Sequence, residues 1–264
     1  MSSLPDCAPP PVALSPPALD VRTPRPPRTW YFIGTTLFGA GVFGVQQIAQ
    51  IAILIILFIW SGVELPLTGE QSRAMLNDGR DLAWMVIVSG PLVLAALWVP
   101  IRIARQKFSS YLALHWPERG EVRRGLLMLV ALLLFWHLLR VALGQALPEF
   151  MIETYRSARD SGSLALYVIA LCAAAPLAEE FLVRGFLLRG WSQSRLGPAG
   201  AVVLSSSAWA ALHTQYNWFY MSEIFALGIL LGALRLRSGS TWLTVILHAV
   251  NNAIAVVVVA AAMG

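Results

Sequence analysis

Charge is scarce in this chain: of 264 residues only 12% are Asp, Glu, Lys or Arg, while 57% are hydrophobic. That balance excludes a soluble globular domain and points to a polytopic membrane protein. Cysteine is nearly absent. Cys7 and Cys172 form no spaced pair, so neither a disulfide framework nor a cysteine metal site is expected. No HExxH occurs, which removes the usual zinc-binding helix. The five aspartates, Asp6, Asp20, Asp78, Asp81 and Asp160, lie outside the long apolar runs, so no aspartate pair sits at membrane depth. Ser205, Ser206 and Ser207 lack a GxSxG frame, which disfavours a serine nucleophile.

The net charge is +5, but the basic residues sit between apolar runs rather than along one face. They orient the chain in a lipid bilayer, and nucleic acid is not an expected partner. The first 28 residues hold nine of the sixteen prolines and no apolar signal region. Residues 1–28 therefore read as a disordered, proline-rich cytoplasmic tail.

A membrane span needs about 20 mainly apolar residues. Runs of that kind fall near 30–60, 83–104, 122–143, 163–188, 199–217, 220–236 and 241–263. The expected fold is all-α, a polytopic transmembrane helix bundle of about seven spans. Residues 29–160 supply N-terminal transmembrane helices and 161–264 a separate core. Arginines and lysines cluster before the first span, between the second and third, after the fourth and after the sixth. Those ends should be cytoplasmic, with a cytoplasmic N-terminus and an exterior C-terminus. Together with the proline-rich tail, this fits a multi-pass protein of a bacterial inner membrane.

Ionisable residues inside spans are costly and mark function by default. In AAAPLAEEFLVRGFLLRGW, Glu180 and Arg184 stand four apart with the acid first, the favourable order for an intrahelical pair. Glu179 lies about 100° round the helix and cannot share that arginine equally. Trp209 precedes His213 by one expected turn, placing indole against imidazole. His248 and Asn252 share one face of the last span, with Asn251 directed elsewhere. Gln46, Gln47 and Gln50 read as interhelical hydrogen-bonding groups, and His137 and Arg140 as structural, Arg140 snorkelling outward. Counted from the basic ends, Glu179 lies ~15 Å, His248 ~10 Å and His213 ~20 Å into the membrane. These depths are compatible with one shared cavity facing the cytoplasm. A carboxylate, two imidazoles and an amide are the parts for activating water and stabilising an oxyanion.

EEFLVR, WAALH and HAVNN match EExxxR, a variant of FxxxH, and HxxxN, in the order and approximate spacing of the CPBP (CAAX protease and bacteriocin-processing) intramembrane protease family. The resemblance covers about residues 165–260. It implies a conical intramembrane active-site cavity in a catalytic core, and a membrane-associated protein or peptide as substrate. Glu179 would activate water with His213 assisting, His248 and Asn252 would form the oxyanion hole, and Glu180 with Arg184 would support the site. Trp209 departs from the usual phenylalanine but keeps an aromatic ring beside the histidine.

No cofactor is expected. Zinc held by Glu179, His213 and His248 is the alternative, because two imidazoles and a carboxylate suffice for a catalytic site. That set forces Glu180 to leave Arg184 if it is to act as base, whereas the metal-free assignment gives every group one role. A non-catalytic scaffold, an immunity protein or a transporter is the other class of reading, because intramembrane charges also line transport pathways.

Overall fold

The computed structural model describes residues 30–62 and 67–264. The tail expected over 1–28 lies outside the described residues. Among the described residues there is no strand, and six helices are long and apolar enough to cross a membrane. They are α1 (Tyr31–Ser61), α3 (Gly79–Ile103), α5 (Arg119–Ala142), the fourth span Leu164–Ser192, α11 (Trp218–Ser238) and α12 (Thr241–Met263). Short helices α2 (Gly69–Leu76), α4 (Phe108–Tyr111) and α6 (Glu149–Asp160) join them. α2 and α6 occupy what the sequence presents as plain loops; both are too short and too polar to span.

The run near 199–217 differs from expectation. α10 covers only Gly197–Ala211, 15 residues, or ~22 Å, less than the ~30 Å hydrocarbon core. His213 therefore sits beyond the helix rather than inside it. Its ring explains why the helix stops there. The Nδ1–H donates to the Trp209 carbonyl at 2.8 Å, the group the His213 amide would use in a continuing helix. That amide turns instead to the Ala210 carbonyl. The chain reverses, and Asn217 caps α11 by accepting from the Phe219 and Tyr220 amides.

α10 and α11 then pack closely because both present small residues. A Cβ on Gly228 would come within 2.8 Å of Ser206, and one on Gly232 within 3.0 Å of Val202. Small residues four apart are the usual means of bringing helices together in lipid, where apolar burial gives little drive.

The fourth span is not a regular helix. α7 (Leu164–Ile169) passes into a π-helical segment, Ala170–Ala174; then come α8 (Ala175–Glu180), a second π-helical segment, Phe181–Leu187, and α9 (Leu188–Ser192). Widened turns of this kind redirect side chains and leave carbonyls unpaired, and they recur at functional sites. Both adjacent glutamates end α8, between the two π segments.

The bundle has two chemically different ends. At one, Arg189 donates to the Ser110 and Tyr111 carbonyls and to Gln106, and Thr241 donates to the Leu112 carbonyl. This gathers the 104–118 connection, the end of the fourth span and the α11–α12 turn. At the other, Ser157 donates to Asp78 at 2.6 Å and Tyr220 donates to the Ala146 carbonyl at 2.6 Å. Exposed Trp116 marks the first end, and exposed Trp60 and Trp218 the second, as interfacial indoles do.

Candidate active site

Backbone geometry separates the neighbouring glutamates. Glu180 is fully buried and its Oε1 accepts from Arg184 at 2.8 Å and from His248 Nδ1 at 3.0 Å. Glu179, one residue earlier, is half-buried and lines a cavity of about 770 Å³. Arg184 is also fully buried. Besides Glu180 it reaches the Gly228 carbonyl at 3.4 Å, and its guanidinium lies 4.4 Å from the Trp209 ring centroid. A buried cation held by a carboxylate, a carbonyl and an aromatic face is compensated from three sides.

Trp209 is the centre of the arrangement. Its indole N–H donates to Glu179 Oε2 at 2.7 Å. His213 and His248 both meet its ring edge to face, with centroids at 5.3 and 5.2 Å. The sequence places Trp209 against His213; it gives no sign that one indole would also touch Glu179, His248 and Arg184, which come from other helices.

The histidine tautomers follow from their partners. His213 faces a carbonyl, which can only accept, so its Nδ1 carries the proton. His248 donates Nδ1–H to the Glu180 carboxylate. Each imidazole is thus oriented through Nδ1 and leaves Nε2 uncommitted.

Asn252 donates through Nδ2 to the Leu171 carbonyl at 2.8 Å, within the first π segment, where the backbone bond runs from the Ala175 amide to the Ala170 carbonyl. One amide N–H of Asn252 remains free of that bond. Asn251 does not point elsewhere, as helical spacing implied. It also lines the cavity and donates to Asn252 Oδ1 at 3.1 Å. The 100° offset between neighbours is too small to remove it from so wide a space.

Glu179, Trp209, His213, His248 and Asn252 all border the same cavity. Among the described residues no three His, Cys, Asp or Glu side chains cluster closely enough to hold a metal ion. Glu179, His213 and His248 are accordingly not gathered as a ready-made ligand set.

Several lining residues carry no signal in the motifs. Gln46 and Gln50 of α1, His137 and Arg140 of α5, and Tyr216, Tyr220 and Glu223 all border the cavity. Gln50 also makes the anticipated interhelical bond, to Ser89 of α3 at 3.4 Å. Tyr216 stacks on His213 with centroids at 6.2 Å, and burial pushes its phenol pKa up, so it remains a neutral donor.

The lining does not place the cavity toward the basic ends from which the expected depths are counted. The cavity is bordered by Leu82 and Val86 near the start of α3, His137 and Arg140 at the end of α5, Leu171 and Ala175 early in the fourth span, and Ile254, Val258 and Val259 late in α12. These halves lie away from the basic ends. Depth counted from one end placed the groups within the membrane but could not say on which side of them the helices part.

Residues 161–254 match the family model described as type II CAAX prenyl endopeptidase Rce1-like. This segment of the chain is similar to that family. An uncharacterized 24.3 kDa protein of Escherichia coli is 31% identical to it over 114 residues, 42% of this chain and 52% of that protein. The chain thus spans about half the length of the curated relative it matches. No solved structure matches it. The matched segment contains every residue of the EExxxR, WxxxH and HxxxN motifs, whereas Gln46, Gln50, His137 and Arg140 reach the cavity from outside it.

Proposed function

We infer that the protein is an intramembrane endopeptidase in which Glu179 activates a water molecule to hydrolyse a peptide bond of a membrane-associated protein or peptide. The observation that carries this reading is the division of labour between adjacent carboxylates: Glu180 is hydrogen-bonded by Arg184 and His248, while Glu179 borders the cavity and accepts from an indole N–H. A carboxylate that makes no salt-bridge contact among the described residues, on the same cavity as an imidazole with a free Nε2, is equipped to accept a proton from water.

The remaining roles follow from the hydrogen bonds. His213, fixed through Nδ1, presents Nε2 toward the water activated by Glu179. His248, whose Nδ1–H is bound by Glu180, offers a donor to a developing oxyanion when Nε2 is also protonated, and Glu180 balances that charge. The second N–H of Asn252 is the other donor. Trp209 positions Glu179 and both imidazoles. Residues outside the core, such as Gln46 and His137, shape the chamber in which the peptide lies.

A transport pathway would need a polar route through the bundle. Beyond the glutamates the interior closes on the Glu180–Arg184 pair and on an apolar cluster that includes Leu97, Ile101, Tyr111, Phe181 and Phe186. That packing favours a chamber with one mouth, and hence the enzyme over the transporter.

The test is comparative proteomics of membrane fractions from cells expressing the wild type or Glu179→Ala at matched abundance. Precursors accumulating only with the variant support hydrolysis. Identical membrane proteomes would remove it in favour of a scaffold.

A further inference from the structure

The cavity has a polar antechamber. A second pocket, of about 520 Å³, shares Leu147, Pro148, Phe150, Gln215, Tyr216 and Tyr220 with the main cavity and is otherwise bordered by polar groups including Arg73, Asn77, Glu149 and Glu153. These come from α2, α6 and the α10–α11 connection, all at the same end of the bundle. The main chamber is mostly apolar; its outer pocket is not. A wet vestibule leading into an apolar chamber is the form expected of the route by which water and a peptide reach the site.

That end is the one with few basic residues. Among the described residues, the opposite end carries ten lysines and arginines, from Arg102 to Arg237, against two glutamates, Glu118 and Glu121. The vestibule end carries five arginines, Arg73, Arg80, Arg140, Arg156 and Arg159, against seven carboxylates. Short connections rich in lysine and arginine stay in the cytoplasm. The vestibule end is then the exterior one. Behind the site, the buried Glu180–Arg184 pair and the apolar cluster around Leu97, Ile101 and Phe186 close the path from the cytoplasm.

We propose that the site is entered from the extracytoplasmic side of the membrane, and that its substrate is an apolar peptide segment at the outer leaflet, such as the membrane-proximal end of an exported protein, rather than a lipid-modified cytoplasmic tail. The substrate half of this proposal rests on the hydrolytic reading; the direction of opening does not. The chamber suits such a segment. Leu134, Ile254 and Val258 border it and are left exposed, which gives the chamber an accessible apolar flank, while Arg73, Glu149 and Glu153 offer polar partners to the hydrated part of the chain.

The experiment uses the full-length protein with Cys7 and Cys172 replaced by serine and one new cysteine at a time, Gln215→Cys or Glu149→Cys at the vestibule and Arg195→Cys at the basic end. Spheroplasts are treated with a membrane-impermeant polyethylene glycol maleimide and labelling is read as a gel shift. The expected result is labelling of the two vestibule cysteines without permeabilisation, and of Arg195→Cys only after detergent. The reverse pattern overturns the proposal. In a second arm, the cut positions of precursors that accumulate with Glu179→Ala are mapped. Positions on the extracytoplasmic side support the substrate class, and positions on the cytoplasmic side overturn it. A complete absence of precursors counts against the hydrolytic reading and with it against the substrate class, while the labelling alone still decides the direction of opening.

Discussion

The indole N–H of Trp209 donates to Glu179 Oε2 at 2.7 Å, tying the carboxylate of the fourth span to the last turn of α10. The same ring carries Arg184 on its face and both site histidines against it. Replacing the indole separates two functions. Trp209→Phe keeps an aromatic surface and removes only the hydrogen bond to a charged acceptor, worth about 1.5–3 kcal/mol at most. The expected outcome is an approximately tenfold fall in precursor turnover, with abundance near wild type. Trp209→Ala should lower abundance as well, because it uncovers Arg184 and removes the ring against which both imidazoles pack; immunoblotting of membrane fractions at equal expression separates the two.

The adjacent glutamates should respond differently to the loss of their own surroundings. Glu179→Ala and His213→Ala should each abolish turnover while leaving membrane abundance near wild type, since catalytic groups affect rate far more than stability. Arg184→Ala strands the fully buried Glu180 and should cost about 3–5 kcal/mol, as removal of one partner from a buried pair does. The difference is read by thermal unfolding in detergent, where only Arg184→Ala should move the midpoint strongly downward.

Asn252→Ala deletes the bond to the Leu171 carbonyl at 2.8 Å together with the proposed oxyanion donor. Loss of one such donor costs about 10²–10³ in rate, while the stability loss should stay near 1 kcal/mol. Asn251→Ala removes only the donor to Asn252 Oδ1 and should cost under tenfold. Equal effects from the two variants, measured as turnover of the same precursor, would contradict the assignment of Asn252.

Gly228→Val tests the packing of the helix pair that carries the site. Its Cβ would lie 2.8 Å from the Ser206 Cβ and 3.1 Å from the Ser206 Cα, so backbone must move. Overpacking of this kind costs typically about 1–3 kcal/mol, and separating α10 from α11 shifts Trp209 away from Arg184. Lower unfolding temperature and lower turnover should appear together. Gly44→Val, at a glycine whose Cβ would meet nothing within 4 Å, should change neither.

The helices and the polar positions were legible in the sequence because both rest on local properties. Runs of about 20 apolar residues need no tertiary information, and Glu179, Glu180, Arg184, His213 and His248 stand out in them because polar groups at that depth are costly. What the sequence could not show was governed by contacts between helices or by departures from regular geometry. The stop at Ala211 depends on a side chain of His213 capturing a carbonyl, and a 3.6-residue period carries no sign of it. The π segments beside α8 likewise have no signature in an apolar run. Asn251 shows the same limit: spacing assigns a direction on a helix, but the breadth of the cavity decides which directions reach it. Tyr216 and Arg140, one in a loop and one at a helix end, looked ordinary because their relation to the site depends on where α5 and the α10–α11 turn meet.

The most direct test of the account is a comparison of protein N-termini, labelled chemically and identified by mass spectrometry, in membranes holding the wild type or Glu179→Gln at equal abundance. The account predicts new N-termini within membrane-associated proteins that appear with the wild type and are absent with the variant, whose amide keeps the size of the side chain but cannot take a proton from water. The same set of new N-termini in both would contradict the assignment of Glu179 as the group that activates water.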